Sequence, residues 1–336
     1  MRIALDAMGS DNAPRTELEG ALLAIEANDD LEIALVGKEE ILRGVQREFP
    51  KGRVQVIPAP EVVGMQESPG EALKRKPDSS IARIMGLVKE GEADAAVSAG
   101  NTGAVMAFAL MTLGTIPEVQ RPTLAAFFPT QHGSCLVADV GANIDVRPQQ
   151  LFQFGVMGAV AASYVLKKAN PKVGLLNVGE EESKGNDATR EAHKLFRESE
   201  LNFVGNIEGN DVFMGTADVV VCDGFVGNVM LKLSEGLGEV MAKLMYEYLA
   251  SESKYRLRRW YSKPVFHEFL GRMNYEEQGG GLLLGVNGAV VIGHGRSSPQ
   301  ALKRAIEQAC FSGRENIPGH IRNRFARFSD EGARNR

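Results

Sequence analysis

The chain has 336 residues, with 44% hydrophobic and 24% charged residues. It is therefore long enough for a large buried core and far from the composition of a disordered protein. The formal net charge of −5 supplies no overall attraction to nucleic acid, so any basic surface has to be local.

In chain order, short apolar runs alternate with longer helical patterns. The first run, RIALDA (2–7), predicts a strand and leads into the polar loop DAMGSDNAP (6–14). A helix is expected over about 15–28, a strand over 31–36, a helix over 38–48 and a strand over 53–57. After these come a helix over 80–91, a strand over 94–98 and a helix over 101–114. TLAAFF (123–128) and SCLVAD (134–139) are joined by Pro129-Thr130-Gln131-His132-Gly133, which predicts an antiparallel hairpin. A helix over 148–168, a strand over 172–177, a helix over 187–199, strands over 201–205 and 218–222, and a helix over 227–250 follow. Continuous β-branched runs separated by helices predict a mostly parallel, mixed sheet covered on both faces. Residues 240–275 are expected to project from this body as helices, because aromatic and basic residues interleave there. The stretch GGGLLLGVNG (279–288) reads as flexible, and the tail after Ser312 as a final turn with a frayed end.

The three cysteines lie far apart and the five histidines show no HxH or HExxH spacing, so neither a disulfide framework nor a dedicated metal site is expected. No signal peptide or 18-residue apolar span is visible, and the chain reads as cytoplasmic. GVNGAVVIGHG (285–295) carries the glycines of a dinucleotide loop without the unit that should precede it.

One sentence is spelled twice. ADAAVSAGNTGAVM (93–106) returns as ADVVVCDGFVGNVM (217–230). Each copy reads as strand, glycine turn, helix, the place where a parallel sheet binds anions through free N–H groups and a helix dipole. The first turn offers Ser98, Gly100, Asn101, Thr102 and Gly103; the second offers Asp223, Gly227 and Asn228, with Lys232 one helical turn on. The repeat has two readings: an internal duplication within one domain spanning 1–336, or the shared physics of β-turn-α units. Loops 6–14, 139–148 and 177–187 also place Asp or Asn beside Gly at expected carboxyl ends, and the five together predict a single cleft.

Together, LDAMGSDNAP, KRKPDSS (74–80), SAGNTGA (98–104), DVGANIDVRP (139–148), NVGEEESKGN (177–186), CDGFVGNVMLK (222–232), GGGLLLGVNG and GHGRS (293–297) resemble the bacterial phosphate acyltransferase family of phospholipid synthesis over nearly the whole chain. The resemblance implies a three-layer α/β/α fold, similar to phosphotransacetylases and the isocitrate/isopropylmalate dehydrogenase group. It implies a homodimer that moves a fatty acyl group from acyl carrier protein to inorganic phosphate, without metal or nicotinamide cofactor. The acyl phosphate would then pass to a membrane glycerol-3-phosphate acyltransferase, which implies peripheral contact with the inner face of the membrane.

On this reading phosphate sits at the 98–104 turn, and Lys184 and Lys232 supply positive charge, with Gly185 and Asn186 beside the former. Asn228 is the oxyanion donor, His294 the acid/base, and Asp6, Asp11, Asn143 and Asp223 orient these groups or relay a proton, with Gly9 beside them. Asp11 and Asp223 read equally as helix caps or ion-pair partners, and Lys184 and His294 have surface and structural alternatives. A covalent role for Cys222 is disfavoured, since no histidine is near it in sequence. For the acidic carrier protein or the membrane surface, the contacts expected are Lys254, Arg256, Arg258, Arg259 and Trp260. Lys74-Arg75-Lys76 is the competing basic patch, and a dimer-interface helix pair the competing role for 240–275. An acyl-CoA phosphotransacetylase, a nicotinamide-dependent dehydrogenase of the same fold and a non-catalytic carrier-protein scaffold are the rival functions.

Overall fold

The computed structural model describes residues 1–251 and 279–334. Among them, eleven strands form one mixed sheet in the order β3-β2-β1-β4-β11-β10-β5-β6-β9-β7-β8. The strands are β1 (Arg2–Asp6), β2 (Glu32–Gly37), β3 (Val54–Pro58), β4 (Ala95–Ser98), β5 (Thr123–Thr130), β6 (Gly133–Ala138), β7 (Val173–Leu176), β8 (Phe203–Ile207), β9 (Val219–Val221), β10 (Gly281–Leu284) and β11 (Ala289–Ile292). Pairing is antiparallel at β11–β10, β10–β5 and β5–β6, and parallel elsewhere. The hairpin expected over 123–139 is β5–β6, with Ala125 opposite Ala138.

Helices cover both faces. On one lie α1 (Arg15–Glu26), α6 (Pro148–Val165), α7 (Asp187–Arg197), α10 (Pro299–Arg314) and α11 (Ile317–Arg334), with Ile25, Phe154, Phe196, Leu302 and Ile321 in a common core. On the other lie α3 (Pro69–Arg75), α4 (Ser80–Lys89), α5 (Thr102–Leu113), α8 (Gly209–Met214) and α9 (Gly224–Ser251), around Ala72, Ile84, Phe108, Val212 and Leu231. The three-layer α/β/α class follows directly. Both helices of the repeat, α5 and α9, pack on the same face.

Three sequence expectations change. Residues 279–288 are not flexible: Leu282, Leu283 and Leu284 form the buried strand β10 at the middle of the sheet. Just before it, Gly280 lets the neighbouring strand approach, since a Cβ there would stand 2.8 Å from the Ile292 carbonyl oxygen. The dinucleotide-like glycines of 285–295 accordingly flank strand β11 rather than a nucleotide turn. After Ser312 the chain forms the helix α11, held by Ile317, Ile321 and Phe325 at four-residue spacing and by Tyr164 stacked on His320. The helix expected over 38–48 breaks into the short α2 (Glu39–Leu42) and a single 3-10 turn (Val45–Glu48), separated by Gly44 in the left-handed region at φ 85°.

The antiparallel centre also has a directional consequence. β1–β4 and β11 point one way, whereas β6–β10 point the other. Carboxyl ends therefore open at two opposite edges of the sheet, instead of the single edge that five equivalent loops suggested.

Candidate active site

At the first edge, Asp6 ends β1 beside Ser98, which ends β4. Ser98 Oγ donates to Asp6 Oδ2 at 2.7 Å and accepts from Gly100 N at 3.1 Å; Met8 N donates to Asp6 Oδ1 at 3.0 Å. Burial pushes the Asp6 carboxyl above its ordinary range, and the hydrogen bonds from Ser98 and the Met8 amide oppose that. Gly9 lies so close to the turn that a Cβ would stand 2.7 Å from Gly100 N. Asp6, Gly9, Ser98 and Gly100 are thus a buried frame that shapes the turn, rather than groups open to a ligand.

Asn101 has a similar fate. Its Oδ1 caps α5 by accepting from Ala104 N at 3.1 Å, and its Nδ2 donates to the carbonyls of Gly64, Met65 and Glu67 at 3.3, 3.0 and 2.9 Å. Gly103 admits Pro69, whose Cγ a Cβ would meet at 2.8 Å. What remains for an anion is the start of α5 itself, where the N–H groups of Thr102 and Gly103 precede the first intrahelical donor, Val105 N.

The loop after β11 closes on the same place. Asp11 N donates to Gly295 O at 2.8 Å, leaving the Asp11 side chain exposed. His294 is exposed, and its Nε2 lies 3.1 Å from Lys232 Nζ. His294 Nδ1 accepts from Arg296 N at 3.2 Å, which puts the proton of a neutral ring on Nε2, so the approach to Lys232 is a hydrogen bond only when one of the two facing nitrogens offers a lone pair. Lys232 also pairs with Glu235 at 2.8 Å.

At the second edge the pattern returns with other residues. Asp139, absent from the sequence-derived candidates, follows β6 just as Asp6 ends β1. Its Oδ1 accepts from the amides of Leu124, Gly141 and Ala142 at 3.1, 3.2 and 3.0 Å; its Oδ2 accepts from Asn143 N and Nδ2 at 2.7 and 2.8 Å. Burial again raises the carboxyl, against these hydrogen bonds. Cys222 takes the repeat position of Ser98, its thiol 3.3 Å from the Asp139 carbonyl oxygen. A Cβ on Gly224 would meet Asp139 Oδ2 at 3.0 Å, just as one on Gly100 would meet Asp6 Oδ2 at 3.5 Å. The sequence signal for Asp139 was present in the parallel between D-x-x-G…P at 6–14 and D-x-G…P at 139–148.

Asn143 spends both amide hydrogens on Pro122 O and Asp139, and its carbonyl accepts from Gly224 N at 2.7 Å. Asp223 is a cap, accepting from Val226 N at 2.9 Å. Gly227 lies against the Asp139 carbonyl with no room for a Cβ. Asn228 is exposed, with Gly141 beside it. Burial holds the Cys222 thiol well above its ordinary range, with the charges of Asp139 and Asp223 adding to the shift, which disfavours a thiolate nucleophile.

α9 joins the two edges. Asn228 stands by the 139–143 loop, and Lys232, one turn later, reaches His294. Lys184 belongs to the loop after β7, neighbour of β9, at the second edge. It is exposed, Gly185 beside it adopts φ 89°, and Asn186 caps α7 by accepting from Thr189 N at 2.9 Å. Of the basic patch at 74–76, Lys76 is committed to Glu67 and to Val62 O. Lys254, Arg256, Arg258, Arg259 and Trp260 lie outside the described residues, as does all of 252–278. Among the described residues, no group of three or more acidic, His or Cys side chains could hold a metal ion, and no helix is long and apolar enough to cross a membrane.

The fold is thus of the three-layer α/β/α class, with one helix, α9, running between its two glycine turns. The fold is shared with a phosphotransacetylase from Streptococcus pyogenes at TM-score 0.61 and 20% identity, covering 94% of each chain. The EutD phosphotransacetylase from Staphylococcus aureus gives TM-score 0.58 and 17% identity, covering 93% of each. The family model described as fatty acid synthesis protein matches residues 1–319. The chain is 44% identical to the phosphate acyltransferase of Halothermothrix orenii over 326 residues, covering 96% of this chain and 98% of that one. It is 48% identical to the phosphate acyltransferase of Geobacter sp. (strain M21) over 311 residues, covering 92% and 88%. The chain belongs to the phosphate acyltransferase family, and the protein is an acyltransferase.

Proposed function

We propose that the protein transfers a long-chain fatty acyl group from the thioester of acyl carrier protein to inorganic phosphate, yielding acyl phosphate for phosphatidic acid synthesis. The observation that carries this reading is the Lys232–His294 contact, which brings the helix of the second repeat against the loops framing the first.

A phosphate oxygen attacks the thioester carbonyl, the new C–O bond forms, the C–S bond breaks, and the thiolate leaves to be protonated. Phosphate is already nucleophilic near neutral pH and the thiol is a fair leaving group, so positioning and charge stabilisation do most of the work. The Thr102 and Gly103 amides with Lys232 hold the phosphate, and Lys184 adds charge from the loop after β7. Asn228 Nδ2 faces the tetrahedral oxyanion. His294 exchanges the proton with Lys232 and the leaving thiol. The buried Asp6–Ser98 and Asp139–Asn143 pairs keep both turns rigid.

The equivalence of Ser98 with Cys222 and of Gly100 with Gly224 favours a duplicated strand-turn-helix unit within a single 1–336 domain. The duplication is local: counted from the sheet edge the halves read β3-β2-β1-β4 and β8-β7-β9-β6, with the inner two strands exchanged. On α9, Val229, Leu233, Leu237, Val240 and Leu244 are all more than half exposed. That surface favours a homodimer with α9 at its interface, and peripheral contact at the inner membrane face where acyl phosphate is consumed.

The test is phosphate-dependent release of thiol from palmitoyl-ACP, with palmitoyl-CoA in parallel and hydroxylamine trapping the acyl phosphate. Release from the carrier protein alone supports the reading. Release from the CoA thioester alone replaces it with a phosphotransacetylase, and release from neither rejects acyl transfer to phosphate. Lys232→Met and His294→Gln are each expected to lower kcat by about 10²-fold or more; wild-type turnover in both would remove the pair from the mechanism.

A further inference from the structure

The loop carrying Lys184 is tied down by a side chain that no motif pointed to. His193 lies on α7, buried, with the Phe203 ring edge-on at 5.1 Å. Its Nδ1 is 3.0 Å from Asn206 Oδ1, and Asn206 Nδ2 donates to Glu181 O at 2.9 Å. Because the amide nitrogen of Asn206 is spent on Glu181, its oxygen is the acceptor, and the proton of the imidazole sits on Nδ1. The ring's other nitrogen faces Glu182 Oε1 at 3.7 Å, and Glu182 also takes Arg197 at 2.9 and 3.0 Å. Glu181 is thus held from the imidazole through Asn206, while the neighbouring Glu182 is held by Arg197.

Other ties hold the loop as well, and Lys184 N itself donates to Glu181 O at 3.0 Å. Asn177 Nδ2 donates to Lys184 O at 3.2 Å, and Arg190 donates to Gly185 O at 2.6 Å. The exposed ion pairs at Glu182 contribute little by themselves. The buried His193–Asn206 link is the tie sheltered from water, where a hydrogen bond is strongest and its loss most costly.

We propose that His193, through Asn206, is a positioning residue for the 177–186 loop and so fixes where Lys184 stands for the anionic substrate. The inference rests on the reading of Lys184 as a phosphate contact, but the loop's order can be measured without it. His193 touches no reacting atom; it acts through the backbone of Glu181.

The experiment compares His193→Leu, which removes the donor, and Asn206→Asp, which keeps an acceptor for His193 but cannot donate to Glu181 O. His193→Asn retains an N–H near Nδ1 and serves as the conservative rescue. Amide exchange over residues 178–186 is read beside KM for phosphate and for palmitoyl-ACP. Expected are faster exchange confined to that loop and a KM for phosphate raised about fivefold, the size of one net hydrogen bond, in both His193→Leu and Asn206→Asp. The acyl-donor KM and kcat stay within about twofold, and His193→Asn falls nearer to wild type. Wild-type exchange over 178–186 in Asn206→Asp, or loosened exchange with an unchanged KM for phosphate, would overturn the proposal. Lys184→Ala is run alongside: an unchanged phosphate KM there sinks the assignment of Lys184, while the exchange rates still report on His193.

Discussion

Asn101 is the residue on which ligand and scaffold readings part most sharply. Its half-buried amide caps α5 through Ala104 N and straps the 61–68 loop through three carbonyls. Asn101→Ala removes the cap, a loss of about 1 kcal/mol. The two amide hydrogens shared among three carbonyls amount to roughly two net hydrogen bonds, about 1 kcal/mol each before water takes up part of the loss. The total is about 2–3 kcal/mol, which for a chain of this length lowers Tm by roughly 3–4 °C. Asn101→Ser separates the parts, because a serine hydroxyl still caps the helix but cannot reach Gly64, Met65 or Glu67. It should recover about 1 kcal/mol relative to alanine. Thermal and urea unfolding of the three proteins give the comparison. If Asn101→Ala leaves Tm within about 1 °C of wild type while raising KM for phosphate many-fold, Asn101 is a ligand group and the scaffold argument fails.

Cys222→Ser is expected to keep at least half of wild-type turnover, and the native thiol to resist iodoacetamide, since burial holds it well above its ordinary range; loss of activity with an intact fold would revive a covalent route. Glu17 is fully buried, one oxygen accepting from Ser10 N at 2.8 Å and the other without a partner, and burial raises its carboxyl. A raised folded value means its contribution is fully present below the ordinary carboxylate range and is lost as pH rises through the folded value. Glu17→Gln should therefore gain stability over wild type as pH rises from about 5 to 9, and urea midpoints with a pH-independent gap would contradict this. Gly227→Ala should lose more than about 3 kcal/mol or fail to fold, because a Cβ there collides with the Asp139 carbonyl; a soluble variant with wild-type Tm would show that α9 can shift away.

The sequence by itself determined the element types where one physical signal dominated. Buried parallel strands such as IALD and EIALV announce themselves as apolar runs, and the periodic patterns of α4 and α7 as helices. The repeat at 93–106 and 217–230 marked both glycine turns, and the ordered motifs marked the family.

Other features lay beyond local pattern. The glycine-dense 279–288 looked flexible because glycine is permissive alone; at the centre of the sheet the same lack of side chain lets strands approach. Polar residues beside glycine serve caps and anions alike, so Asn101, Asn143, Asn186 and Asp223 read as site residues, Asp223 equally as a cap; the partners within reach come only from the structure. His193 carries no motif, and Asp139, although it opens the motif at 139–148, shows its role only beside strands and helices far apart in sequence. Apart from the β5–β6 hairpin, the direction of the strands also belongs to the tertiary structure alone. The antiparallel centre β11-β10-β5-β6 turns the second set of carboxyl ends to the opposite edge, and a single helix, α9, carries Asn228 and Lys232 from one edge to the other. Pairing across the sheet is a long-range choice between strands of near-identical local pattern, so it is settled only when the whole core packs.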